Sequence, residues 1–169
     1  MPLKKPIENL KIAVLLPAYK RLEYTRKCLS ALEGAQEYKN VDFFLFDDGS
    51  NDDTSELMAL FILPKQVFRN PTNVGLREVI LDFFELTKDY DLLAKMDNDC
   101  AVPKNWLNEL VKVFETSDVD ILSPNVYPSN AAFTYGKQDT ENKGYRPAEI
   151  VGGLWVMKRE LVEDRKSVV

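Results

Sequence analysis

Two short apolar runs in this chain end abruptly in carboxylates. Leu92-Leu93-Ala94-Lys95-Met96 runs into Asp97-Asn98-Asp99, and Val41-Asp42-Phe43-Phe44-Leu45-Phe46 runs into Asp47-Asp48. Runs of this length, bounded by turn formers, read as buried strands. Carboxylates at a buried strand end are costly unless something positive meets them there. Helical spacing follows each cluster, so both occupy equivalent places in strand–turn–helix units. An alternating α/β layout satisfies this pattern, because it brings both clusters to one edge of a sheet.

The rest of the chain keeps the same rhythm. Lys11 to Leu16 reads as a strand ended by Pro17-Ala18-Tyr19. A helix follows, with Leu22, Thr25, Leu29 and Leu32 on one face, Arg21, Glu23, Arg26 and Lys27 outward, and Gly34 as its stop. After the strand Val41 to Asp47, Ser50 or Asp52 caps a helix carrying Leu57, Met58, Leu60 and Phe61. Gln66-Val67-Phe68 is a brief third strand, and Leu76, Val79, Ile80, Phe83 and Phe84 mark the next helix. Asp91 to Met96 is the fourth strand. Pro103 suits the first turn of a helix bearing Trp106, Leu107, Leu110, Val111 and Phe114, and Val119 to Leu122 is a fifth strand. From Ser123 to Glu149 the rhythm fails in a stretch rich in Pro, Asn, Gly and Tyr, long enough for a functional loop. Order resumes at Val151-Gly152-Gly153-Leu154-Trp155-Val156-Met157, before a charged, helix-prone tail. The expectation is one α/β domain over residues 1–169, with a mostly parallel sheet and helices on both faces.

Composition narrows the chemistry. With 45% hydrophobic and 29% charged residues over 169 positions, this is an ordinary globular composition. A net charge of −5 without a Lys/Arg-rich stretch argues against nucleic acid. The apolar run Ile12 to Leu16 stops at Pro17, too short for a signal peptide or a membrane span. Two cysteines, Cys28 and Cys100, make no disulfide framework, and a reduced, cytoplasmic protein is the expectation. Histidine is absent, which removes His-based metal sites, Ser-His-Asp triads and a His base together. A bound metal would be held by oxygen, favouring Mg²⁺ or Mn²⁺.

Ligands of open α/β sheets bind beyond the carboxyl ends of the strands. Pro17-Ala18-Tyr19, Asp47-Asp48 and Asp97-Asn98-Asp99 converge there if strands one, two and four are neighbours. Carboxylates repel a diphosphate, and a bridging divalent cation turns that repulsion into attraction. The plainer reading makes Asp47 to Thr54 a turn-rich cap, Asp97-Asn98-Asp99 a turn, and Arg69 and Arg77 surface charges. Two acidic clusters, each at a strand end, favour the shared site. Glycine-rich phosphate loops are not an option, since Pro17-Ala18-Tyr19-Lys20-Arg21 follows the first strand.

Assembled, these residues resemble the inverting nucleotide-sugar glycosyltransferases of the GT-A fold, family 2 type. The matching elements are Val14-Leu15-Leu16-Pro17-Ala18-Tyr19, Phe46-Asp47-Asp48-Gly49-Ser50-Asn51-Asp52, Asn73-Val74-Gly75 and Lys95-Met96-Asp97-Asn98-Asp99. The resemblance implies a Rossmann-like sheet with its nucleotide site at the strand C-terminal edge. It implies a nucleotide-sugar half over 11–115 and a partial acceptor-side half over 116–169. Pro17, Ala18 and Tyr19 would border the nucleobase and ribose, and Asp48, alone or with Asp47, would bond the base. Arg69 or Asn73 would lie near the base, and Arg77 would reach the base or a phosphate. Asp97, with Asn98 beside it, would approach the ribose or the metal, and Asp99 would ligate Mn²⁺ or Mg²⁺. The donor would be a UDP, GDP or dTDP sugar, transferred with inversion to an acceptor hydroxyl deprotonated by a carboxylate. Family members usually run past this length, with that base beyond the Gly-Gly segment. Glu149 and Asp164 are the candidates here. The alternative is a domain that binds nucleotide-sugar without transferring it.

Overall fold

The computed structural model describes residues 3, 5–35, 39–124 and 153–164, with the side chains of 116, 163 and 164 left out. A six-stranded sheet forms the centre of the chain, in the order β3-β2-β1-β4-β6-β5. The strands are β1 Ile12–Ala18, β2 Val41–Asp47, β3 Lys65–Arg69, β4 Leu92–Met96, β5 Ile121–Leu122 and β6 Leu154–Lys158. β1 pairs in parallel with β2 on one side and β4 on the other, and β2 pairs in parallel with β3. β6 runs antiparallel to both β4 and β5.

β1, β2 and β4 are near-continuous apolar runs because both faces of the sheet are covered. One face packs on α1 (Leu22–Ala35), α2 (Thr54–Ala59) and α4 (Trp106–Thr116). There Leu16, Phe43, Ala94 and Val156 meet Leu29, Leu32, Met58, Val111 and Phe114. The other face packs on α3 (Leu76–Leu86), with α5 (Glu160–Asp164) beside it. There Leu15, Phe44, Phe46 and Leu93 meet Val79 and Phe83. The expected α/β sheet with helices on both faces is therefore present.

Four local expectations differ from the structure. Gly34, expected to stop α1, lies within it, because the helix runs to Ala35. Pro103 lies ahead of its helix, which starts at Trp106 after Asn105, a residue in the left-handed region at φ 60°. Helix α2 ends at Ala59, so Leu60 falls outside it and is 76% exposed. Neither Ser50 nor Asp52 is the N-cap of α2; Asp53 holds that place, and Asp52 Oδ1 instead accepts from the Thr54 N–H at 3.2 Å.

The strand order reverses between β1 and β4, since the chain builds outward from β1 to β2 and β3, then returns to β1's other side. A crevice beyond the carboxyl ends of β1 and β4 is the usual ligand position in such a sheet.

Candidate functional site

The carboxyl ends of β2 and β4 flank that of β1 on the edge where such a crevice lies. Ala18 pairs with Asp47 in register, and the Asp48 N–H donates to Ala18 O at 2.8 Å. Pro17 and Ala18 are the last residues of β1, and Tyr19 follows, 42% exposed. Lys20 and Arg21 come next at φ 58° and 62°. Consecutive non-glycine residues in the left-handed region carry strain, and such strain clusters at functional sites. Two bonds hold the turn: the Lys20 N–H donates to Ser50 Oγ at 2.7 Å, and Lys20 O accepts from Asn98 Nδ2 at 3.5 Å.

Asp47 and Asp48 divide into separate tasks. Asp47 is fully buried; its carboxylate accepts from the Ser50 N–H (2.9 Å) and the Ser55 hydroxyl, and pairs with Arg69 Nε at 3.7 Å. It organises the turn that follows β2. Arg69 supports the same turn by donating to Ser50 O at 3.3 Å. Asp48 reaches the neighbouring loop, where Oδ1 accepts from Asn70 Nδ2 (2.8 Å) and the Val74 N–H (2.9 Å), and Oδ2 from the Gly75 N–H (2.9 Å). Its carboxylate thus fastens residues 70–75 against the β2 end. Asn73 is exposed on that loop. Arg77 is 80% exposed in the first turn of α3, and it pairs with neighbouring Glu78 rather than with an acidic residue of the crevice.

The second acidic cluster has cationic partners of its own. Asp97 Oδ1 pairs with the Lys95 ammonium, and Asp99 Oδ2 accepts from Arg21 Nη1 at 2.9 Å. Asn98 points into the protein, where its amide donates to Thr25 Oγ1 of α1 at 2.9 Å. Both thiols lie close to these acids. Burial first, then Cys100, Asp99 and Asp97, push the Cys28 thiol up to about 12. Burial first, then Asp97 and Asp99, also raise Cys100. Raising a thiol in this way disfavours its thiolate, the reactive form.

Lys95 and Arg21 belong to the site, though reading the sequence alone gave them no role there, and Gly153, read from the resemblance as part of an acceptor-side segment, meets Asp97. A lysine inside an apolar strand is the visible signal, since a buried ammonium needs a partner. The Gly153 backbone accepts from the Asp97 N–H at 2.9 Å, and a Cβ on Gly153 would stand 2.4 Å from Asp97 Oδ2. Of the two candidate bases, Glu149 lies outside the described residues, and Asp164 ends α5 with its side chain outside them.

No group of three or more His, Cys, Asp or Glu that could hold a metal occurs among the described residues. Mg²⁺ and Mn²⁺ do not require one, because they take one or two carboxylates and complete their shell with phosphate and water. Asp99 and Asp97 fit that donor set. No helix of the described residues is long and apolar enough to cross a membrane.

Residues 13–164 match the family model described as Glycosyl transferase family 2. An uncharacterized glycosyltransferase of Rickettsia felis is 32% identical over 149 residues, covering 74% of this chain and 24% of that protein. Among solved structures, the mannosyltransferase PcManGT of Pyrobaculum calidifontis, in complex with GDP-Man and Mn²⁺, superposes with a TM-score of 0.71 at 19% identity. It covers 96% of this chain and 50% of its own. S. aureus TarS in complex with UDP-GlcNAc gives a TM-score of 0.78 at 17% identity, over 93% of this chain and 48% of its own. The sheet is therefore of the GT-A type, and the chain spans about half the length of these structures.

Proposed function

Because the chain belongs to glycosyl transferase family 2, we propose that it binds a nucleoside-diphosphate sugar at the β1–β4 crevice and transfers the sugar to an acceptor hydroxyl with inversion. The observation that carries this reading is convergence: Asp48 and Asp97 to Asp99 flank Tyr19 along the carboxyl edge of β2, β1 and β4, beside the point where the strand order reverses. Complexes with GDP-Man and with UDP-GlcNAc on the same fold support it.

The donor half is residues 11–115. Pro17, Ala18 and Tyr19 border the base and ribose, and the loop fastened by Asp48 forms the far wall. Asp97 meets the ribose side, and Asp99 is the carboxylate for a divalent cation. When bound, that cation neutralises the diphosphate and stabilises its departure as a Lewis acid. The Arg21–Asp99 pair, whose side chains are 52% and 37% exposed, is weakly held, so Asp99 would be able to exchange its arginine for the cation. The Arg21 guanidinium, on its strained turn, would then be able to donate to a phosphate oxygen. The acceptor hydroxyl attacks the anomeric carbon in line as a carboxylate takes its proton.

Asp99→Asn tests the assignment. The expected outcome is loss of Mn²⁺-dependent donor binding in a protein that still melts like the parent. Unchanged donor affinity in the variant removes Asp99 from the site.

A further inference from the structure

A lysine in a central strand is costly, and Lys95 sits between Leu15 of β1 and Trp155 of β6 with its side chain 6% exposed. The two-residue period of a strand puts it on the same face as Asp97, and its ammonium meets Asp97 Oδ1. Gly153 closes on the carboxylate from β6's side: its carbonyl takes the Asp97 N–H, and its missing Cβ leaves room for Oδ2. Asp97 is thus held at one oxygen by a buried cation and at its backbone by the neighbouring chain, while its side chain stays 39% exposed.

The two acids of the cluster are held unequally. Asp99 pairs with an arginine that water already reaches, so that pair can open. Lys95 has no such freedom. A buried ammonium that loses its carboxylate is left uncompensated, which opposes any movement of Asp97 away from it. On the reading that this crevice takes a nucleotide-sugar, we propose that Lys95 is a positioning residue for donor binding, acting through Asp97. It keeps Oδ1 engaged and leaves Oδ2, in the space Gly153 provides, as the oxygen offered to the donor. Lys95 itself touches no ligand.

Lys95→Met keeps the apolar stem and removes the clamp. Gly153→Ala keeps the lysine and crowds Asp97 Oδ2, displacing the side chain against the pull of Lys95 at a stability cost that the melting temperature reads. UDP, GDP and dTDP are titrated calorimetrically, each with Mn²⁺, into the parent, both single variants and the double variant. Each single variant is expected to weaken nucleotide binding by about tenfold or more. The double variant is expected to lie within about twofold of the weaker single, because both changes act on one carboxylate. Melting temperature serves as the control, since a merely structural role would lower it without this non-additive loss. Parent-like affinity in Lys95→Met, or losses that multiply in the double variant, would overturn the proposal and leave the donor site standing. Absence of nucleotide binding in the parent protein would overturn both.

Discussion

Gly49 shows how closely the acidic turn is built. It stands at φ +77°, and a Cβ there would lie 2.4 Å from the Thr72 carbonyl carbon and 2.6 Å from the Asn73 nitrogen. Left-handed strain alone costs about 1–3 kcal/mol for a side chain, and the clash is with backbone that cannot swing away. Gly49→Ala is therefore expected to lower the melting temperature markedly, and a parent-like melt would contradict the close approach of the two loops. Burial also governs Cys28 and Tyr90. The thiol rises from 9.0 to about 12, and the phenol, half-buried and donating to Asp42, rises from 10.0 to about 12. Both pKa values are raised on folding, so their stabilising contribution is complete below the ordinary values and lost as pH climbs toward 12. Thermal stability should fall above pH 9.0, and Tyr90→Phe should flatten part of that fall. An equally steep fall in the variant would rule the phenol out. At this scale the sequence exposes the acidic residues but not their partners. Arg21 reads as an outward helix residue, yet it meets Asp99 from 78 positions away. Nothing local to either residue encodes that pair.

At the scale of elements, β1, β2 and β4 are plain in the sequence because sheets buried on both faces demand unbroken apolar runs. Helix beginnings are less legible, since they depend on caps and turns that several residues could supply. Pro103 fits a first turn, but the left-handed Asn105 delays the start of α4 to Trp106. Likewise, Asp48 carries the signature of a ligand-binding acid, while its three bonds to Asn70, Val74 and Gly75 show it fastening a loop. Asp48→Ala should free that loop, so the amides of Val74 and Gly75 are expected to exchange much faster with solvent. Unchanged protection would mean that other contacts hold the segment. Nucleotide affinity should fall in step, since the loop is the wall of the proposed crevice.

For the whole molecule, the decisive fact is that β4 returns to the free side of β1 instead of extending the sheet beyond β3. Strand periodicity carries no information about that choice, which depends on contacts between residues some eighty positions apart, such as Ile12 with Leu92. The acidic clusters point to it only conditionally, since they make one site if their strands are neighbours. The antiparallel β6 follows from the same placement, bringing Gly153 back to the crevice edge beside Asp97. Arg21 and Gly153, which shape the Asp97–Asp99 end of the site, are therefore supplied by topology, which the motifs alone do not display.

The most direct test of the account is calorimetric titration of the purified protein with UDP, GDP and dTDP, each with and without Mn²⁺. At least one of these nucleotides is expected to bind at about micromolar strength, and only in the presence of the metal. A folded protein that binds none of them, with or without Mn²⁺, would contradict the donor site and leave only the likeness of fold.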